Sequence, residues 1–278
     1  VRPLGEADRA GIEAVLWSRV ETSMFPLGNL VRHGMSGGHR HAMRFWGAGE
    51  PLEAVLGLAG SGMVLPQIPP ALAGAAATAL AGRRIIGAVG ESRQVAALRA
   101  TLLPPGAPVQ LDREEALLSL DLSDLTMPAT EGLMLAPLSA APRDLLVRWR
   151  AASEREALGA GEESEAQAEA DVAAWLAAGS QRVLLRGGRP VAMTGFNARL
   201  PGIVQVGAVW TPPELRRRGL ARAAVALHLA EARAEGVERA ILFTANPFAA
   251  QAYRALGFRE VGRFRLLLLA APQEVPGG

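Results

Sequence analysis

The stretch Ile203–Phe258 reads IVQVGAVWTPPELRRRGLARAAVALHLAEARAEGV and continues ERAILFTANPFAAQAYRALGF. Ile203 to Trp210 is apolar and rich in β-branched residues, the pattern of a buried strand. Thr211-Pro212-Pro213 ends it, because proline cannot donate to a sheet ladder. Arg216-Arg217-Arg218-Gly219-Leu220-Ala221 follows. From Leu220 an apolar stripe runs through Ala223, Ala224, Leu227 and Ala230 at helical spacing, with Arg222 and Arg233 on another face. Gly236 is a suitable helix stop, since glycine tolerates the left-handed conformation. Ala240–Thr244 is a second strand, Asn246 follows it, and a short helix closes on Tyr253-Arg-Ala-Leu-Gly257-Phe258.

The turn into the long helix carries the chemistry. The first N–H groups of a helix have no internal partner and lie at the positive end of its dipole. Gly219 has no side chain and Ala221 a small one, so a bulky anion such as pyrophosphate can approach the main chain, with arginines adding positive charge around it.

An R-x-x-G-x-A turn between a strand and a long helix, followed by strand, Asn and Y-x-x-x-G-F, resembles the GNAT superfamily of N-acetyltransferases, which bind acetyl-CoA. The likeness covers roughly Glu131 to Leu269. It implies a mixed-sheet α/β (α+β) fold, the GNAT acyl-CoA N-acyltransferase fold, in the C-terminal half. It also implies direct transfer of an acetyl group to an amine in a ternary complex. The backbone of Val209, Trp210 and Thr211 would then hold the pantetheine arm. Main-chain N–H groups of Arg217, Arg218, Gly219, Leu220, Ala221 and Arg222, with Arg216 opening the motif, would hold the pyrophosphate. Asn246 would contact the CoA arm, and Tyr253 would stand near the sulfur as general acid. Tyr253 is the only tyrosine, while Phe is used seven times. From ordinary pKa values, a tyrosine protonating a solvated thiolate works uphill by about 2 kcal/mol. Most of the rate enhancement therefore falls to holding amine and thioester together.

Composition excludes several classes. With no cysteine there is no cysteine acyl-enzyme, disulfide framework or thiolate metal site. All 29 basic residues are arginine, but the net charge is only +2, so the balance does not point to nucleic acid. No signal peptide or membrane span is recognised, which leads to the expectation of a cytoplasmic protein without membrane association. The sequence leaves the oligomeric state open. His33, His39 and His41 lack a companion carboxylate cluster and are read as a loop, so no metal is expected.

The chain divides, on sequence, into an α/β domain at 1–125 and a GNAT domain at 131–270, with the polar, proline-containing Ser123–Glu131 between them. The first half reads as a helix at Leu4–Val20, a second short element broken by Pro26, several strands, and an alanine-rich helix at Pro70–Leu80. The unit IIGAVGESRQVAALRATL, Ile85 to Leu102, lacks a dinucleotide-binding pattern. It is read instead as a degenerate copy of the GNAT strand-turn-helix, which makes the N-terminal half a degenerate GNAT-like domain. The acidic stretch Glu154–Asp171 is either a solvated connection or a cover for a cationic acceptor. Glu154, Glu156 and Glu163 are candidates for the group that takes the amine's proton, Glu156 foremost. Phe196 and Asn197 are candidates for the acceptor pocket, and His228 is placed on the helix surface. Arg263–Leu269 is a last strand and PQEVPGG a disordered tail. The expected partner is a small-molecule or peptide amine. A longer acyl-CoA as donor and a non-catalytic acyl-CoA-binding module are the alternatives.

Overall fold

The computed structural model describes residues 1–158 and 165–277. Packing divides the chain into two units. The first takes Val1–Leu117, Phe243–Ala245 and Val261–Gly278; the second takes Leu118–Leu242 and Asn246–Glu260. The sequence suggested a linear division, 1–125 and 131–270. The packing departs from it because the last strand belongs to the first unit.

The chain opens with β1 (Arg2–Leu4), α1 (Arg9–Ser18), α2 (Val20–His33), β2 (Met43–Ala48), β3 (Ala54–Ala59) and β4 (Met63–Gln67). It continues with α3 (Ala73–Leu80), β5 (Arg84–Glu91), α4 (Ser92–Leu102) and β6 (Val109–Asp121). Strands β1 to β4 pair antiparallel in order, and β4 pairs parallel with β5. Pro26 does not break α2 as the sequence suggested. The carbonyl it would leave without a donor, that of Thr22, accepts from the Gln67 side chain at 3.1 Å, so the helix runs through.

The second unit adds β7 (Leu133–Pro137), α5 (Arg143–Leu158), α6 (Glu165–Ala178), β8 (Gln181–Arg186) and β9 (Arg189–Leu200). Then come β10 (Ile203–Trp210), α7 (Leu220–Ala234), β11 (Arg239–Thr244), α8 (Pro247–Arg254) and β12 (Arg259–Glu274). Its strands run in the order β11, β10, β9, β8, β7, antiparallel except for the parallel β10–β11 pair. Alternation along β8 sorts its residues to two faces. Val183 and Leu185 join Leu146, Val147 and Trp149 of α5, whereas Leu184 joins Leu220, Ala223 and Ala224 of α7. The sheet is therefore covered on both sides.

β12 pairs antiparallel with β5, from Phe264 opposite Glu91 to Leu268 opposite Gly87, and resumes at Gln273 opposite Ile85. The tail expected to be disordered is thus partly strand, and Val275 is 1% exposed in the first core. The parallel pairing also corrects the proposed internal copy. β4–β5 is the parallel pair of the first unit as β10–β11 is of the second, so the counterpart of β10–α7 is β4–α3, not Ile85–Leu102.

Candidate active site

Two local irregularities shape the site. The first is in β10. Its ladder to β11 ends at Gln205 opposite Ile241, although β10 runs on to Trp210. Its ladder to β9 is interrupted between Gly207 and Trp210, where Ala208 adopts φ 50°. A left-handed conformation at a residue with a Cβ costs on the order of 1 kcal/mol, and such strain clusters at functional sites. Gly207 lets the Asn197 side-chain amide lie against the bulge, where a Cβ would come within 2.0 Å of it and push that side chain aside. Asn197 therefore packs against this bulge rather than entering a pocket of its own.

The second irregularity is the turn after Pro213. Arg217 has φ 60° and Gly219 φ 74°, and Gly219 caps α7 with no side-chain group. Among the described residues, none of the backbone N–H groups from Arg217 to Arg222 meets an acceptor; the ladder of α7 begins with Ala223 donating to the Gly219 carbonyl at 2.9 Å. These donors lie at the positive end of a helix of 15 residues.

A cleft of about 840 Å³ runs over this turn. Glu156, Val209, Trp210, Thr211, Arg216, Arg217, Gly219, Leu220, Ala221, Arg222, Asn246 and Tyr253 all line it. Of the residues singled out from the sequence, Arg218 does not; its guanidinium donates to the Glu214 carbonyl at 3.3 Å. Three buried donors beside the turn have no partner: Trp210 Nε1, Thr211 Oγ1 and Arg222 Nε. Unpaired buried donors are costly, and an incoming polyanion with amide and hydroxyl groups can satisfy such atoms. The residues present therefore fit a pyrophosphate-bearing ligand such as acetyl-CoA.

Tyr253 lies on α8, 9% exposed, edge-on to Phe258 at 5.9 Å. Burial pushes its phenol up to about 12, so at ordinary pH it is neutral and retains a proton to give. Against a solvated thiol the uphill gap widens to about 5 kcal/mol. A thiolate sharing the same dry cleft is raised too, which narrows that gap. Asn246 is the N-cap of α8: its Oδ1 accepts from the N–H groups of Phe248 at 2.9 Å and Ala249 at 3.3 Å. It lines the cleft and also has a structural duty the sequence reading did not assign.

Glu156, foremost candidate for the proton acceptor, is engaged otherwise. Its two oxygens accept from Arg216 Nη1 at 3.0 Å and Nη2 at 2.7 Å. Arg216 Nε donates to the Thr211 carbonyl at 3.0 Å, and the guanidinium lies 4.8 Å from the centre of the Trp210 ring. In this arrangement both Glu156 oxygens are taken up by Arg216 rather than open to the cleft. Glu154 is likewise paired, with Arg150. Glu163 lies outside the described residues. Phe196 is buried and stacked on His228 at 3.8 Å, and His228 is itself only 3% exposed, so neither takes the place expected of it. The sequence reading also missed Phe248, 80% exposed at the cleft; an aromatic residue just inside a helix start was the available signal.

The corresponding place in the first unit offers fewer free donors. Ile68-Pro69-Pro70 follows β4 and passes through one tight turn straight into α3, where the Leu72 N–H donates to the Pro69 carbonyl at 2.9 Å and the Ala73 N–H to that of Pro70. The Ile68 N–H is taken by Gln94 Oε1 at 3.0 Å, and the Gln67 carbonyl by Arg19 at 3.2 Å.

Residues 145–258 match the model of the acetyltransferase (GNAT) family. The chain carries a GNAT domain. Solved structures similar along the whole chain include a GCN5-related N-acetyltransferase from Kribbella flavida, 18% identical, covering 96% of this chain and 97% of that one with a TM-score of 0.54. Another, from Sphaerobacter thermophilus, is 16% identical over 100% and 96% of the two chains, TM-score 0.56. A tandem GNAT protein from the clavulanic acid biosynthesis pathway is 17% identical over 98% of each, TM-score 0.56. At these identities the likeness is one of fold, and it extends to the first unit. No curated protein matches the chain. The family match and the whole-length likeness of fold agree with a mixed α/β architecture in two units, and among the described residues no helix is long and apolar enough to cross a membrane.

Proposed function

We propose that the GNAT domain transfers an acetyl group from acetyl-CoA to an amine of a small molecule or peptide. The observation that carries this reading is the run of unpaired N–H groups from Arg217 to Arg222 at the start of α7, beside the bulged end of β10. Those groups hold the pyrophosphate, and the backbone of Val209 to Thr211 holds the pantetheine arm. The amine nitrogen attacks the thioester carbon in a ternary complex. A C–N bond forms, the C–S bond breaks, and the electron pair left on sulfur takes the proton of Tyr253. The nitrogen gives up its surplus proton to solvent, which in turn reprotonates the phenolate. Positioning supplies most of the acceleration. One centre serves the chain in this reading, because the N–H groups of Leu72 and Ala73 at the start of α3 are already taken by the Pro69 and Pro70 carbonyls.

Release of free thiol from acetyl-CoA across a panel of amines tests the activity. Tyr253→Phe is expected to lower kcat by about 100-fold, the low end for a general acid, with the acetyl-CoA Kd unchanged. If affinity falls as far as turnover, Tyr253 is a packing residue and the acid assignment is wrong.

A further inference from the structure

The Arg216–Glu156 pair lines the cleft, and the proposed chemistry does not use it. Arg216 spends Nε on the Thr211 carbonyl and turns both Nη groups to the Glu156 carboxylate, at 3.0 and 2.7 Å. Its guanidinium rests on Trp210, whose indole N–H is buried and unpaired. Glu156 stands near the end of α5, while Arg216 opens the turn into α7, so the pair ties two elements together across the cleft. A guanidinium fork accepts a carboxylate and a phosphate in the same two-pronged geometry.

We propose that the Glu156 carboxylate occupies the place of a donor phosphate at Arg216, and that donor binding exchanges one anion for the other. This rests on the donor-site reading above. Before exchange the carboxylate occupies both Nη groups of Arg216. After exchange Arg216 carries the phosphate and Glu156 is left as an unpaired carboxylate at the cleft. A cationic amine then meets that carboxylate only when the donor is already seated. The two substrates are coupled through one side chain, and Glu156 acts on the acceptor as a positioning residue.

The pair is partly exposed, with side-chain exposures of 36% and 51%, so its effect is modest. Removing an internal competitor of that kind strengthens binding by about two- to fivefold. The experiment is calorimetric titration of wild type and Glu156→Gln with acetyl-CoA, CoA and phosphate-free S-acetyl-pantetheine. Glu156→Gln should bind the two diphosphate ligands more tightly and S-acetyl-pantetheine as wild type does. The gain should vanish in an Arg216→Gln background, and at saturating acetyl-CoA Glu156→Gln should raise KM for a cationic amine more than it lowers kcat. Weaker binding of acetyl-CoA by Glu156→Gln, with an unchanged melting temperature, would mean that Glu156 merely supports the turn. Equal tightening of all three ligands would mean that the substitution only widens the cleft. Either result overturns the exchange. Absence of acetyl-CoA binding by both proteins would instead sink the donor-site reading beneath it.

Discussion

His228 shows what a single residue can hide. Its position in α7 looked like an ordinary surface site, yet the ring is 3% exposed and stacked on Phe196. Burial, with Arg182 and Arg199 nearby, lowers its pKa from 6.5 to about 3. The fold therefore holds the neutral ring. Between those two values the unfolded chain binds more protons than the folded one, so stability rises with pH there. The contribution is complete above pH 6.5 and is lost as pH falls toward 3, up to about 5 kcal/mol at the limit. Melting temperatures of wild type and His228→Leu should diverge on acidification from pH 7 to 4, with wild type falling further. Parallel curves would show that His228 titrates normally in the fold. Tyr253 is the opposite case. A lone tyrosine in Y-x-x-x-G-F was legible because the motif is local. The Arg216–Glu156 pair was not, because nothing in sequence joins residues 60 positions apart.

At the scale of elements, the local signals were the reliable ones. Proline stopped β10, Gly219 started α7, and Asn246 marked the start of α8. What stayed hidden was how wide a face each element buries. The stripe read on α7 was narrow, whereas Val225, Ala226, Leu229 and Ala232 are also fully or almost fully buried. A helix of mostly small apolar residues carries too little contrast between its faces to reveal this. The bulge at Ala208 was equally silent, since only Gly207 hinted at it. Asn246 has two duties at the start of α8, capping and lining the cleft, and substitution separates them. Asn246→Ala should cost about 1 kcal/mol in denaturant unfolding, and Asn246→Ser should restore most of it, because a serine hydroxyl caps as well. If Ser restores stability and donor affinity alike, capping is the whole role. If Ser fails to restore stability, the capping account of α8 is wrong.

On the scale of the molecule, the fold class and the presence of two α/β units were legible, because strand and helix patterns alternate through both halves. The assignment of β12 was not. A strand's sequence states that it is apolar and extended; it does not name its neighbour. Here Leu267, Leu269 and Val275 complete the core of the first unit, with Leu56, Ile85 and Leu98. Burying each such side chain contributes about 1.5–3 kcal/mol, so their loss together removes much of a typical domain's stability. A chain ending at Glu260 should therefore lose amide-exchange protection across β2 to α4. Retained protection in those elements would show that the first unit folds without β12.

The central claim is that the N–H groups at the start of α7 hold the donor's pyrophosphate. Calorimetric titration of acetyl-CoA into wild type and Ala221→Glu tests it most directly. A glutamate in the first turn of a helix favours folding through the dipole, so the variant should melt no lower than wild type while its carboxylate fills the cradle. The account predicts saturable binding to wild type and none to Ala221→Glu. Equal affinity in the two proteins would contradict it.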